Sequence, residues 1–311
     1  MKSAICTLFE GDYHFGLGAL CNSLYKNGYR GVVHAGYRGS VPPWATGAAL
    51  HEGYLELAIA PNFFLRLSPV TTDAHLTNYK PDFMLSLWRD HCADADALFY
   101  FDPDIVVMCR WSFFEEWVSC GVAVCADVNA DMPATHPLRH AWSRFFGRHG
   151  IHVVREQNIY FNGGFVGVAR QNRGFLKTWQ RLQELMKPAI GGFQNTGLFD
   201  RTFLFHKTDQ DTLNVATMTS EEPVSFMGRD GMDFQHGGGG YVMSHAAGST
   251  KPWRKKMLWG VLTRVMPPNR ADKAFVNHAD LPIKLYSPLH LGLKRLDILL
   301  AAAAGKFISR A

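Results

Sequence analysis

The stretch that decides the fold is residues 98–107, which read LFYFDPDIVV. Its apolar residues form a short continuous run, which predicts a strand buried on both faces of a parallel sheet covered by helices. Asp102 and Asp104 follow that run, and Pro103 between them removes a ladder N–H, so we expect the strand to open there. Because open α/β sheets bind ligands at the carboxyl ends of their strands, the two acids are a candidate half-site for Mg²⁺ or Mn²⁺. The alternative is a pair of solvated acids in a loop.

The beginning of the chain predicts the same architecture. Residues 3–9 are typical of a strand, the leucines that follow recur at helical spacing, and residues 31–35 are typical of a second strand. This βαβ unit predicts a parallel sheet with a ligand at its strand ends. The loop after the first strand lacks Gly-x-Gly-x-x-Gly, so a dinucleotide-binding site is disfavoured.

Composition places the chain among folded globular proteins. It has 311 residues, of which 47% are hydrophobic, enough for one large α/β domain or for one domain with an appendage. The six cysteines form no Cys-x-x-Cys pair, which favours buried thiols in a reducing compartment over a disulfide framework. The N-terminus has no apolar signal segment, and no run approaches the roughly 18 apolar residues of a membrane span. We therefore expect a cytoplasmic protein.

Positive charge is concentrated at the end of the chain. Twelve Lys or Arg residues stand against three Asp between positions 251 and 311, a local charge of +9 in a chain of net charge +5. Such a tail suggests a surface for anions. Two interpretations stay open: peripheral contact with anionic lipid on the inner face of a membrane, or a solvated helical subdomain packed on the core. Nucleic acid is disfavoured, because aromatic residues do not interleave with the basic ones as a stacking groove requires.

Three further segments contain candidate functional residues. Residues 162–164 (Asn-Gly-Gly) lie in a strand-like run, where paired glycines mark either a close approach to a ligand or a simple bulge. Asp209-Gln210 begins a predicted helix, where an acid also serves as an ordinary cap. A short predicted strand ends at His245, six residues before Lys251. That spacing suits metal and phosphate binding, although a lone histidine is more often structural.

These motifs together resemble family 8 of the retaining glycosyltransferases, the group of glycogenin and the bacterial lipopolysaccharide galactosyl- and glucosyltransferases. The motifs are FDPD at 101–104, FNGG at 161–164, DQDTLN at 209–214 and His-x-x-Gly-x-x-Lys-Pro-Trp at 245–253. The last motif is much more restrictive than Asp-x-Asp, which many transferases share. The resemblance implies a GT-A fold, a Rossmann-like and mostly parallel sheet with helices on both faces. We expect a catalytic domain over 1–253 and a basic helical extension over 254–311, with two helices at 255–265 and 289–304.

The resemblance also implies the ligands and the residues that bind them. The donor would be a nucleotide sugar, most often a UDP-sugar, held through Mn²⁺ or Mg²⁺, and the imidazole favours Mn²⁺. By position, the metal ligands would be Asp102, Asp104 and His245. The residues that would bind the nucleotide sugar are Thr7, Leu8, Tyr13, Lys80, Asp102, Asn162, Gly248 and Lys251. The catalytic residues at the sugar would be Asp209 and Gln210, and Asp127 would lie on the acceptor side.

Some of these residues have more specific implied roles. Tyr13 would stack on the base, while Lys251 and the backbone at Gly248 would meet the diphosphate. Lys80 is added because it precedes a predicted helix that leads into the Asp102 strand. Each role is an expectation that depends on where the fold places the residue.

The same set of residues predicts the stereochemistry of the reaction. An inverting enzyme needs a general base behind the acceptor hydroxyl. Gln210 is an amide and a poor base, which favours retention of configuration. The transfer would be to a glycan or glycolipid acceptor. Two alternatives remain. A sugar-nucleotide nucleotidyltransferase is disfavoured because residues 10–14 lack its Gly-rich basic loop, and a catalytically silent scaffold would keep the fold without turnover.

Overall fold

The computed structural model describes residues 1–127, 131–197, 200, 202–234, 239–264 and 266–308. The predicted extension therefore includes positions 265 and 309–311, which lie outside the described residues. The strands are β1 (Ser3–Glu10), β2 (Gly31–Arg38), β3 (Ala49–His51), β4 (Tyr54–Ala60), β5 (Phe63–Pro69), β6 (Ala97–Phe101), β7 (Ile105–Val107), β8 (Val122–Ala126), β9 (Phe161–Ala169), β10 (Val224–Met227), β11 (Met232–Asp233) and β12 (Met243–His245). The α-helices are α1 (His14–Lys26), α2 (Lys80–Asp90), α3 (Trp111–Ser119), α4 (Pro137–Gly147), α5 (Gly174–Ile190), α6 (Thr208–Thr219), α7 (Met257–Arg264), α8 (Arg270–Asn277) and α9 (Pro288–Ile308).

Within the described residues, the main sheet has nine strands in the order β10-β8-β9-β6-β1-β2-β5-β4-β3. β1 pairs in parallel with β2 and β6, and β2 pairs in parallel with β5. β9 runs antiparallel to its neighbours β6 and β8, and β4 runs antiparallel to β3 and β5. The other seven strands of this main sheet run in one direction. The predicted mostly parallel sheet is confirmed.

Helices cover both faces of this sheet. Along β1, Ile5 and Phe9 join the core formed with α1, α3 and the C-terminal helices, while Cys6 and Leu8 join the core formed with α2, α4, α5 and α6. Alternate residues of a strand point to opposite faces, so each central strand contributes to two cores. The predicted α/β architecture, with helices on both sides, is confirmed.

The chain leaves the main sheet at Pro103, as its sequence predicted. β6 ends at Phe101, and after the Asp-Pro-Asp segment β7 joins a separate three-stranded sheet in the order β11-β12-β7. β7 pairs antiparallel with β12, and the register places Ile105 opposite His245. A residue 140 positions later in the chain is thereby brought next to the two acids.

In the part of the basic C-terminal segment that the structure describes, there are three helices rather than the two that we expected over 255–265 and 289–304. The additional helix, α8, begins with a capping box in which Asn269 and Asp272 exchange side-chain and backbone hydrogen bonds. Val261, Phe275 and Ile298 from the three helices are buried in the same core as β1 and α1. No helix among the described residues has the length and apolar character needed to cross a bilayer. The division at residue 253 stays a prediction.

Asp211 fixes the start of α6, the helix that carries the predicted catalytic pair. Its carboxylate accepts a hydrogen bond from the Tyr160 hydroxyl at 2.5 Å and one from the Lys207 backbone N–H at 2.9 Å. Tyr160 immediately precedes β9, so this carboxylate joins the helix to the sheet. Burial raises the pKa of Asp211 to about 7.

This pKa predicts a pH-dependent stability. A carboxyl whose pKa is higher in the folded protein favours folding when protonated, and that contribution is lost as the pH rises from about 4, the usual Asp value, to about 7. Urea unfolding should therefore show Asp211→Asn gaining stability relative to wild type over this range, by about 1.4 kcal/mol for each unit of pKa difference.

Asp90→Asn is the matched control. Asp90 is exposed and hydrogen-bonded by Arg89, which holds the pKa of its carboxyl below the usual value. Its difference from wild type should therefore stay flat from pH 5, which is about a unit above the ordinary Asp pKa, to pH 7. A flat difference for Asp211→Asn as well would show that the buried carboxyl does not titrate as inferred.

Candidate active site

A cavity of about 420 Å³ opens at the carboxyl ends of β1 and β6, where the sequence predicted a ligand site. Most of the predicted site residues line it: Leu8, Tyr13, Lys80, Asp102, Asp104, Asp127, Asn162, Asp209, Gln210, His245 and Lys251. These residues are spread between positions 8 and 251 of the chain, and the fold brings their side chains together.

Asp102, Asp104 and His245 form a compact group at one side of the cavity. Nε2 of His245 lies 3.3 Å from Oδ1 of Asp104 and 3.9 Å from Oδ2 of Asp102. One potential ligand atom from each residue lies within 4.8 Å of the others. The arrangement follows from the β7–β12 register, because Asp104 directly precedes β7 and His245 is the last residue of β12.

This group fits a hard divalent cation. Two carboxylates and an imidazole supply the ligand types of Mn²⁺ or Mg²⁺ and leave coordination positions for phosphate or water. Gly164 keeps the space between the ligands open, since a Cβ there would lie 2.6 Å from Cε1 of His245 and 3.0 Å from Oδ2 of Asp102. The identity of the ion does not follow from this geometry.

Lys251 contacts the same group from the other side. Its Nζ lies 2.6 Å from Oδ2 of Asp104 and donates to the Ala246 carbonyl at 2.8 Å. Burial raises the pKa of Asp104, but the His245 imidazole and the Lys251 ammonium outweigh it and hold this pKa below its ordinary value. Asp104 is therefore ionised at neutral pH, in the state that binds a cation.

Lys80 links the metal group to the opposite wall of the cavity. Its buried ammonium lies 3.1 Å from Oδ1 of Asp102 and 3.0 Å from Oδ2 of Asp209, and it donates to the Gly163 carbonyl at 2.8 Å. Burial lowers the pKa of Lys80, but Asp102 and Asp209 outweigh it and raise the value to about 12. The residue is thus a permanent cation between two acids.

Gln210 occupies the centre of an amide and carboxylate network. Its Nε2 donates to Oδ2 of Asp127 at 2.8 Å, and its Oε1 accepts from the Gly163 backbone N–H at 3.0 Å. Asn162 Nδ2 also approaches both residues, at 3.3 Å from Oε1 of Gln210 and 3.4 Å from Oδ2 of Asp127. The orientation of the Gln210 amide is consequently fixed in the floor of the cavity.

Aromatic and charged residues close the end of the cavity near β1. Tyr13 makes an edge contact with Trp253 at a centroid distance of 5.5 Å, and Lys251 Nζ lies 5.4 Å from the centre of the Tyr13 ring. Asp12 accepts two hydrogen bonds from the Arg254 guanidinium. The loop after β1 is therefore joined to the loop that carries Lys251, as a shared ligand would require.

Two predicted residues do not line the cavity. Thr7 is fully buried in β1 and shares a face with Ile5 and Phe9, so its side chain points into the core. Gly248 follows β12, and its neighbour Ala247 is the residue that lines the cavity. A role for the backbone at either position stays a prediction.

The lining also includes residues that the sequence analysis missed. Lys207 lies 3.6 Å from Oδ2 of Asp127, while His75 and Phe234 form other parts of the wall. A basic residue two positions before the Asp209-Gln210 motif was a usable signal for Lys207. His75 and Phe234 lie in segments with no recognisable pattern.

Comparison with solved structures identifies the class of fold as that of GT-A glycosyltransferases. The galactosyltransferase LgtC in complex with donor and acceptor sugar analogues matches with a TM-score of 0.52 and 16% identity, over 94% of this chain and 99% of that chain. An LgtC variant with an active-site glutamine changed to glutamate matches equally well, with a TM-score of 0.52, 16% identity and the same 94% and 99% coverage. The bifunctional glycosyltransferase WbbM in its apo form matches with a TM-score of 0.52 and 14% identity over 94% of this chain, which spans 51% of WbbM.

The resemblance to family 8 glycosyltransferases is thus confirmed at the level of the fold. No family model matches the sequence, and no curated protein matches it. The cluster of three potential metal ligands is a property of this chain itself.

The close approach of Gly164 to His245 and Asp102 leads to a prediction about metal binding. Gly164→Ala should weaken Mn²⁺ binding by roughly tenfold or more, because the added methyl group would displace His245 or Asp102 from a geometry that a bound ion needs. Titration calorimetry with Mn²⁺ measures the affinity. Gly147→Ala is the control, since a Cβ there meets nothing within 4 Å. Equal affinities in the two variants would contradict the metal site.

Proposed function

We propose that this protein is a metal-dependent glycosyltransferase that moves a hexose from a nucleotide sugar, with a UDP-sugar favoured, to a glycan or glycolipid acceptor. The observation that carries the proposal is the convergence of Asp102, Asp104 and His245 beside Lys251 in one cavity of a GT-A fold. The LgtC complex with donor and acceptor analogues supports it by analogy of fold, because that protein binds both kinds of ligand.

The metal side of the cavity would hold the diphosphate of the donor. A divalent cation bound by Asp102, Asp104 and His245 supplies charge stabilisation to the departing diphosphate. Lys251 adds a fixed positive charge at the same end, and Tyr13 provides an aromatic face for the base. These residues would bind and orient the nucleotide.

The opposite wall would hold the sugar and the acceptor. Asp209 is buried, which raises the pKa of its carboxyl, and its ion pair with Lys80 opposes that rise. Its carboxylate would supply negative charge near a sugar that becomes positively charged in the transition state. Gln210 donates to Asp127 and accepts from Gly163, and an amide so engaged is no general base. This arrangement favours retention, with the departing phosphate accepting the acceptor proton. Asp127 and Lys207 would lie on the acceptor side.

The C-terminal helices suggest that the protein contacts its acceptor at a membrane surface. The exposed leucines Leu289, Leu293, Leu296 and Leu300 recur along one face of α9, and Trp259 of α7 is also exposed. Apolar faces flanked by Lys and Arg are typical of helices that lie in the plane of an anionic membrane. Peripheral contact with such a membrane would bring the cavity to a glycolipid, and it is part of the proposal.

The metal-site assignment is tested by substitution. Asp104→Asn should lower transfer from a UDP-sugar by about 10²–10³-fold, since a weakened metal site loses positive charge that would stabilise the departing diphosphate. EDTA should abolish wild-type transfer, and Mn²⁺ should restore it. Asp73→Asn, which changes an exposed acid outside the cavity, should keep wild-type activity. Undiminished transfer by Asp104→Asn, or by wild type in EDTA, would overturn the assignment.

The predicted retention is tested separately. Proton NMR of the first-formed product reads the anomeric configuration, and an inverted linkage would overturn retention.

The membrane contact is tested by co-sedimentation with phosphatidylcholine vesicles that contain or lack phosphatidylglycerol. Wild type should sediment with the anionic vesicles, and the double variant Leu293→Glu/Leu300→Glu should not, because two charges would be buried in the interface. Leu50→Glu, at an exposed position on β3, is the control and should bind like wild type. Equal binding of all three proteins, or of none, would contradict the contact.

A further inference from the structure

Lys251 contacts a residue that is also a potential metal ligand. Its Nζ lies 2.6 Å from Oδ2 of Asp104, and the two side chains are only 7% and 5% exposed. The other oxygen of Asp104 faces Nε2 of His245 at 3.3 Å. Both carboxylate oxygens of Asp104 are thus engaged, one by a protein cation.

The other buried lysine at the site is held differently. Lys80 contacts Oδ1 of Asp102, which also accepts from the Tyr100 hydroxyl, and it is tied further to Asp209 and the Gly163 carbonyl. Oδ2 of Asp102 remains directed at His245. Lys80 can therefore stay in place when a cation joins the group. Lys251 donates to Asp104 and to the Ala246 carbonyl, and it also interacts with Tyr13 on the cavity wall.

A divalent ion and an ammonium group repel each other strongly when both approach one buried carboxylate. Lys251 also lines the cavity, with its ammonium 5.4 Å from the centre of the Tyr13 ring. Because its ammonium already lies at the cavity wall, a rotation of the side chain would carry the charge from Asp104 towards an anion bound there. A diphosphate supplies negative charge for both the lysine and the metal.

We propose that Lys251 occupies the cation position beside Asp104 when no ligand is bound, and that metal binding transfers it to the diphosphate. The identity of that anion rests on the proposed function. Lys251 then competes with the metal alone and cooperates with the metal and nucleotide together. Because binding couplings are reciprocal, the nucleotide strengthens metal binding by the same factor by which the metal strengthens nucleotide binding.

The test measures Mn²⁺ affinity by electron paramagnetic resonance, in which the signal of free Mn²⁺ falls as the ion binds. Lys251→Met removes the competing charge, so Mn²⁺ alone should bind more tightly than to wild type, by roughly fivefold or more, the lower end of usual couplings between sites. UDP should strengthen Mn²⁺ binding to wild type, and this effect should be smaller in Lys251→Met. Lys251→Gln, which keeps a polar end, serves as a second variant should the first unfold.

Lys207→Met is the matched control, because Lys207 lines the same cavity but pairs with Asp127 rather than with the metal group. Its affinity for Mn²⁺ alone should stay near that of wild type, which separates competition from a general change of charge. Equal or weaker binding of Mn²⁺ alone to both Lys251 variants, or equally tightened binding in Lys207→Met, would overturn the exchange. Wild type that binds Mn²⁺ neither alone nor with UDP would overturn the proposed function as well. If UDP strengthens Mn²⁺ binding to wild type, but the Lys251 variants bind Mn²⁺ alone no more tightly than wild type does, only the exchange is overturned.

Discussion

The site depends on one pairing between distant strands, β7 with β12. Its register sets Ile105 opposite His245, so the imidazole arrives beside the acid that precedes β7. Asp233 in β11 strengthens the same small sheet, because its carboxylate accepts hydrogen bonds from the Ser244 hydroxyl and the His245 backbone N–H. A shift of one residue in this register would turn the imidazole to the other face of the sheet. The three short strands thus determine the geometry of the potential metal ligands.

The second constraint is the balance of charge around the cavity. Buried carboxylates are costly unless cations or hydrogen-bond donors meet them. Lys80 contacts Asp102 and Asp209, and Lys251 contacts Asp104, so each of these acids has a lysine partner. Each of these carboxylates therefore contacts a cation inside the fold without a bound ion. The same pairing makes the cavity responsive to charged ligands, since any new cation changes the partners of at least one lysine.

Local patterns in the sequence predicted much of the fold, and distant contacts limited the rest. The continuous apolar run before Asp102 correctly predicted a buried strand that opens at Pro103, because burial on both faces leaves a direct trace in composition. The approach of His245 to the acids was expected only through family resemblance, because no local sequence pattern specifies the register between strands that are distant in the chain. Thr7 was expected at the nucleotide, yet strand alternation turns it into the core. Helix α8 was missed because its eight residues show only a brief apolar pattern.

The wide separation of the cavity residues along the chain has a consequence for biosynthesis. The lining begins at Leu8 and ends at Lys251, so no earlier portion of the chain contains a complete centre. At ribosomal speeds the interval between these two residues lasts roughly 10–50 s. In the later part of that time β7 has emerged without β12, and its backbone N–H and C=O groups lack the partner strand that later covers them. The nascent protein therefore passes through a stage in which β7 exposes a strand edge that is free to pair with other segments.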